Sequence, residues 1–219
     1  MNEACGPSEE LSGRKNSLLR MYQEGHMIAD HSYNHMLHNA VTTANHNVYV
    51  GVEDDIQYFG RMNIDPTISV LREAGVDQHA LDQIRAAMTD YIRLPYTNNW
   101  RIANISRDCY CSTPNASAEN GIALADALQA RGASVVGWDL EWGMNYNLPA
   151  MRPLYGGATM LAEVNPDGGQ LPGKVIVLTH DMAYRPGGDL DAQAELELFI
   201  KLAKDKGYVF RTIDTYLSD

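Results

Sequence analysis

Two histidines four residues apart, His31 and His35 in the stretch DHSYNH, are the first residues whose type and spacing could do chemistry. On a helical turn, positions i and i+4 share a face, so both imidazoles can meet one ion. Zinc accepts His nitrogen and carboxylate oxygen, and a catalytic zinc keeps one position for water. The plainer explanation is a pair of hydrogen-bonded surface histidines, because a lone HxxxH is weak as a motif. Asp30 adjoins the first His but is a poor third ligand, since neighbours on an extended chain end point to opposite faces. His26 and His38 lie nearby and would be decoys in a ligand count.

Three further stretches carry reactive residues. In RLPYTNNW (93–100), Arg93 can clamp a carboxylate. Pro95 fixes the turn, so the next backbone N–H, that of Tyr96, can act as an oxyanion donor. The alternative is a loop held by Arg and Tyr hydrogen bonds. In WDLEW (138–142), Asp139 and Glu141 lie between aromatic residues, a setting that suits sugar rings. A core Trp with solvated acids would give the same text. In VLTHD (177–181), His180 follows an apolar run and could act as a general acid beside a carboxylate. A satisfied strand-end histidine is the competing explanation.

The elements that would position these residues follow from periodicity and punctuation. Helices are expected over 15–25, 65–75, 78–88, 118–132 and about 189–206, the last capped at Asp189 or Asp191 and closed by Gly207. The 65–75 helix is expected to start at Asp65-Pro66. The 118–132 helix sets Ile122, Ala125 and Leu128 on one face, and the last helix carries a stripe of Leu196, Phe199, Ile200 and Ala203. Strands are expected over 26–32, 91–96, 133–140, 174–181 and 208–214. Residues 1–14 read as irregular, 39–63 as a long excursion, 106–117 as a loop, and 143–173 as loop with a short helix near 157–163. Alternating helices and apolar strands predict α/β units with a parallel sheet or barrel. The reactive residues then fall at the C-terminal ends of strands, the edge where such folds build their sites.

Composition narrows the class. The 219 residues suit one compact domain or at most two small ones. Apolar residues make 45% and charged residues 21%, ordinary for a globular protein. The net charge of -11 argues against nucleic acid or an anionic membrane as main partner. No run is long enough to span a membrane. The polar start MNEACGPSEELSGRK has no signal-peptide core. Cys5, Cys109 and Cys111 leave at least one thiol unpaired within the chain and show no thiolate metal spacing.

Taken in order, HSxxH, RxPY, the WDLEW stretch and LTH resemble the polysaccharide deacetylases, the NodB-homology domains of carbohydrate esterase family 4. ADHSYNHMLHN, RLPYTNNWR, KVIVLTHD and LAKDKGYVFRTIDTY look most like the chitin oligosaccharide deacetylase branch, from about residue 16 onward. The resemblance implies a distorted (β/α) barrel of seven or eight strands. It implies a divalent metal, zinc or another such as Co2+ or Mn2+, held by one Asp and two His, and hydrolysis of the N-acetyl group of N-acetylglucosamine units. By position, His31 and His35 would be metal ligands and His180 the acid for the leaving amine. Arg93 would orient the base carboxylate, and the Tyr96 N–H would hold the oxyanion. Asp139 or Glu141 would tune His180. Tyr96, Trp100, Trp142 and Leu178 would contact substrate. A secreted or periplasmic monomer acting on chitin oligosaccharides or a related glycan is implied as well.

One departure from the family pattern shapes the expectation. The family opens with a strand ending in T-F-D-D-G, whose two Asp are the base and the third metal ligand, followed by a second strand. Neither is found upstream of His31. The expectation is therefore a single domain over 1–219 that lacks its first two strands and has weak activity or none. Asp54-Asp55 is the adjacent acidic pair, but it follows the histidines and reads as a decoy. Two other functions remain in view: a catalytically dead carbohydrate-binding module, and a different metal hydrolase using Asp54 or Asp55.

Overall fold

The computed structural model describes residues 7–33, 60–109, 117–145, 152–166, 173–184 and 190–217. They form a mixed α/β fold. The chain divides into two compact units, Met1–Gly137 with Thr212–Ser218, and Trp138–Arg211.

The first unit begins with helix α1 (Pro7–Gln23), which extends the helix expected over 15–25 towards the N-terminus. Proline suits a first helical turn, where its missing N–H would have no intrahelical partner. Helix α2 (Arg61–Glu73) also starts earlier than expected and contains Pro66 instead of beginning at it. The reason is packing. Ile64, Ile68 and Leu71 recur at helical spacing and are all buried, so burying Ile64 carries the helix back past the proline. Gly75, at φ 89°, ends this helix, and the Val76 N–H returns to the Leu71 carbonyl at 3.1 Å. Helix α3 (Gln78–Asp90) is capped by Asp77, whose carboxylate accepts the Ala80 N–H at 3.0 Å. Its Ala80, Leu81, Ile84 and Met88 pack with α2, and Leu18, Leu19 and Tyr22 of α1 lie against them.

Strands β1 (Tyr91–Ile92), β2 (Asn98–Ile102), β3 (Ile105–Cys109) and β4 (Ser134–Val135) form one sheet in the order β1-β4-β2-β3. β1 and β4 are parallel, whereas β2 is antiparallel to both β3 and β4. The β2–β3 hairpin corrects the loop expected from residue 106. Ile102 pairs with Ile105 around a two-residue turn in which Ala103 takes φ 49°. Polar text hid this hairpin, because Asn98, Asn99 and Arg101 are buried in it. Helix α4 (Ser117–Ala130) covers the sheet through Leu124, Ala125 and Leu128, which meet Ile92, Leu94 and Val135. Ile122 is half-buried.

The second unit contains β5 (Leu140–Glu141) parallel to β8 (Val177–Leu178), and β6 (Met144–Asn145) antiparallel to β7 (Arg152–Pro153). Helix α5 (Gly157–Val164) packs on α6 (Ala192–Asp205), with Met160, Leu161, Phe199 and Ala203 in the core. Of the two cap candidates, Asp191 accepts the Ala194 N–H at 3.1 Å, and Asp189 lies outside the described residues. A Cβ on Gly157 would collide with the α6 backbone at Glu195, so glycine lets the helices approach. Glu195 in turn accepts the Gly157 N–H at 2.6 Å and serves the start of α5.

Further expectations need correction. Of the strand expected over 26–32 only an isolated bridge at Asp30 forms, and the one expected over 91–96 is reduced to the two residues of β1. The strands expected over 133–140 and 174–181 are shorter, because the chain pairs as β4 and β5 separately and β8 holds only Val177–Leu178. The strand expected over 208–214 does not form. Val209 is 74% exposed and Phe210 50% exposed, and residues Ile213–Leu217 make a 3-10 turn. β-favouring residues need a neighbouring ladder, and none pairs with them among the described residues. Sheets of four, two and two strands result, and none of them closes into a barrel among the described residues. None of the described helices is long and apolar enough to cross a membrane.

Candidate functional site

In the first unit, the candidate residues gather beside β1. Asp30 bridges Ile92 in parallel, its N–H donating to the Tyr91 carbonyl at 3.1 Å and its carbonyl accepting from Arg93 at 2.9 Å. This pairing sets the next residue, His31, beside Arg93. His31 Nδ1–H donates to the Arg93 carbonyl at 2.9 Å, which fixes the ring and leaves the lone pair on Nε2. A ligating histidine is held in this way through its other nitrogen. His31 is exposed, so the ring edge is reachable.

The Asp30 carboxylate turns the other way. It is 1% exposed, and Oδ1 accepts the Ser32 N–H at 2.8 Å and Asn63 Nδ2 at 2.6 Å. Oδ2 is buried with no hydrogen bond among the described residues. Burial raises its pKa to about 6, against the pull of the Asn63 and Ser32 bonds. Ser32 takes φ 71°, so the residue after His31 is held in a left-handed turn by this carboxylate.

A second left-handed residue follows Pro95. Tyr96 has φ 61°, and the Thr97 N–H reaches the Pro95 carbonyl at 2.8 Å, a three-residue turn. Such a backbone persists only where its surroundings enforce it. The Tyr96 side chain is 63% exposed. Arg93 is partly buried, and burial lowers its pKa. Trp100 is wholly buried, with the Arg107 guanidinium 4.7 Å from its ring centroid across the hairpin. All five residues of β2 are buried, so this ring lies in the core and presents no face to solvent.

In the second unit, the structure separates the two carboxylates of WDLEW. Asp139 Oδ2 accepts the Ile176 N–H at 2.9 Å, and the Asp139 N–H donates back to the Ile176 carbonyl at 2.9 Å. That carboxylate clips the start of β5 to β8. Glu141 Oε1 lies 3.6 Å from His180 Nε2, both side chains being partly buried. The parallel register sets Glu141 beside Leu178, two residues before His180. Trp142 is 1% exposed, donates Nε1–H to the Tyr155 carbonyl at 2.9 Å, and tilts against Phe199 at 5.4 Å. Leu178 is buried too, so both belong to the core of this unit.

His35, Asp54 and Asp55 lie outside the described residues. Among the described residues, no three His, Cys, Asp or Glu side chains are placed to hold a metal. Two contributors were not legible in the sequence. Asn63 sits in a polar stretch with no motif, and nothing local points to Asp30. Tyr184, whose hydroxyl makes a short hydrogen bond with Thr179 next to His180, had no signal either.

No family model matches the chain. Among curated proteins, it is similar to a chitin disaccharide deacetylase of Vibrio alginolyticus, 27% identical over an alignment 272 positions long. That alignment takes in 96% of this chain and 62% of the relative, so the chain spans less than two thirds of the relative's length. Among solved structures, a peptidoglycan N-acetylglucosamine deacetylase aligns with a TM-score of 0.46 and 18% identity, over 93% of this chain and 69% of that one. The resemblance to the polysaccharide deacetylases, carried by the ordered motifs, thus extends over nearly the whole chain.

Proposed function

We propose that the chain carries the chemistry of a carbohydrate N-deacetylase acting on N-acetylglucosamine units of chitin oligosaccharides or a related glycan. The observation that most supports this is the similarity to a chitin disaccharide deacetylase over 96% of the chain. In this reading, water adds to the acetyl carbon, the C–N bond breaks, and acetate and a free amine leave. His31 and His35 would hold a divalent cation, zinc or another such as Co2+ or Mn2+, whose charge polarises the acetyl carbonyl and the attacking water. The anchoring of His31 Nδ1 on the Arg93 carbonyl suits coordination through Nε2.

The remaining roles fall to the chain's own groups. The Tyr96 N–H would donate to the oxyanion of the tetrahedral intermediate. Arg93 would orient the base carboxylate. His180 would deliver a proton to the departing amine, with its imidazole oriented by Glu141 at 3.6 Å. The local bond of Asp139 to Ile176 favours Glu141 over Asp139 for this task. Exposed Tyr96 is the aromatic group of the set best suited to a sugar ring. The fold in this reading is a distorted (β/α) barrel, and the protein a secreted or periplasmic monomer.

Incubation with zinc and N-acetylglucosamine oligomers, followed by assay of free acetate, tests the proposal. Slow release that increases with zinc and disappears in His180→Ala is expected. Oligosaccharide binding that ignores a chelator, with no acetate formed, would identify a carbohydrate-binding module instead.

A further inference from the structure

We infer that Asn63, acting through Asp30, is a positioning residue for the His31 imidazole. This role deepens the proposed function, since it rests on His31 being a metal ligand. The connection is short and specific. Asn63 stands in the first turn of α2 and donates Nδ2–H to Asp30 Oδ1 at 2.6 Å. The same oxygen receives the Ser32 N–H at 2.8 Å. Ser32 directly follows His31 and holds φ 71°, a conformation that a serine adopts only under restraint. On the other side of His31, the Asp30 backbone is locked to Tyr91 and Arg93. His31 is therefore clamped at both chain neighbours, and one clamp is a carboxylate oriented from helix α2.

The carboxylate is 1% exposed and has one oxygen without a hydrogen bond among the described residues. Asn63 is half-buried, so a water admitted in its place offers a mobile donor where the amide offered a fixed one. Without Asn63, Oδ1 keeps one of its two donors, and the carboxylate has reason to rotate towards another partner or towards solvent. A carboxylate so turned releases Ser32, and the His31 ring then keeps its bond to the Arg93 carbonyl but loses the restraint on the residue that follows it. Coordination is sensitive to such changes, because groups that orient a ligand typically alter metal affinity by about 10–100-fold when removed.

The experiment measures zinc dissociation constants of the protein by competition with a chromophoric chelator. Asn63→Ala is compared with wild type, with His31→Ala, and with Ile68→Val. Ile68 is a buried packing residue of the same helix and makes no bond to Asp30. The expected result is zinc binding weakened about 10–100-fold in Asn63→Ala and unchanged in Ile68→Val, whatever the thermal midpoints of the two variants. Equal affinity in Asn63→Ala and wild type overturns the positioning role while His31 remains a ligand. Equal weakening in Ile68→Val overturns it as well, since metal affinity then only follows the stability of the helix. Zinc binding unaffected by His31→Ala overturns both the ligand reading and the role of Asn63.

Discussion

Acidification from pH 7.5 to pH 5 is expected to stabilise the first unit through Asp30. Its carboxyl is buried, and burial lifts the pKa from 3.8 to about 6 even though Asn63 and Ser32 donate to it. The interval between those values corresponds to about 3 kcal/mol in favour of the protonated folded form. Between pH 3.8 and 6 the folded protein keeps a proton that the unfolded chain has released. Stability from this group is therefore fullest below 3.8 and is lost as pH rises through 6. About 1.4 kcal/mol of the change lies between pH 5 and pH 7.5. Urea unfolding of metal-free wild type and Asp30→Asn at both pH values isolates the effect. Asparagine keeps an Oδ1 acceptor for Ser32 and Asn63 but does not titrate in this range. Wild type is expected to gain about 1.4 kcal/mol more than the variant on acidification. A carboxyl-carbon NMR titration of Asp30 should show a midpoint near 6. An identical pH response in the two proteins, or a midpoint near 3.8, would refute the reasoning.

Other perturbations test separate parts of the structure. Gly137→Ala would push a Cβ into Asn98 Oδ1 and Trp100 Nε1, and is expected to destabilise the first unit by about 1–3 kcal/mol, read as a lower thermal midpoint. Asp108→Ala would strip the buried Arg101 guanidinium of bonds at 2.9 and 3.0 Å, leaving Asp126 and the Trp100 carbonyl as acceptors; about 3 kcal/mol should be lost in urea unfolding. Burial works against ionisation of Asp108, but bonds from Arg101 and Asn99 outweigh it and lower its pKa, so this contribution disappears as pH falls through the acid range. His180→Ala is expected to reduce acetate release by about 10²–10⁴-fold, and Glu141→Gln to reduce it more than Asp139→Asn does in proteins of matched stability. An ordering with Asp139 ahead would reverse the assignment made from the 3.6 Å and 2.9 Å contacts.

Much of the local structure was legible in the sequence, for physical reasons that act over a few residues. Asp191, one of the two cap candidates ahead of α6, caps the next turn by reaching the N–H three residues on. Phe199 and Ala203 recur at helical spacing because one face of α6 must be buried. The ordered motifs around His31, Arg93, Glu141 and His180 were legible for a similar reason, since each is a short text at the end of an apolar run.

Partnership between distant residues was decided only by the tertiary structure. Trp142 read equally well as a sugar platform or as core, and Trp100 was expected to contact substrate; burial puts both in the core, because nothing in a Trp residue encodes its exposure. Asp139 and Glu141 were interchangeable as text. The parallel register of β5 with β8 sent one to the Ile176 backbone and the other towards His180. Pro66 marked a helix start by its local chemistry, yet packing of Ile64 carried the helix through it. The clamp on His31 depends on Asn63, 32 positions further along the chain from it, and no spacing rule reaches that far. The residues and their order determined which chemistry was available, whereas long-range packing and strand register decided which side chain serves each group.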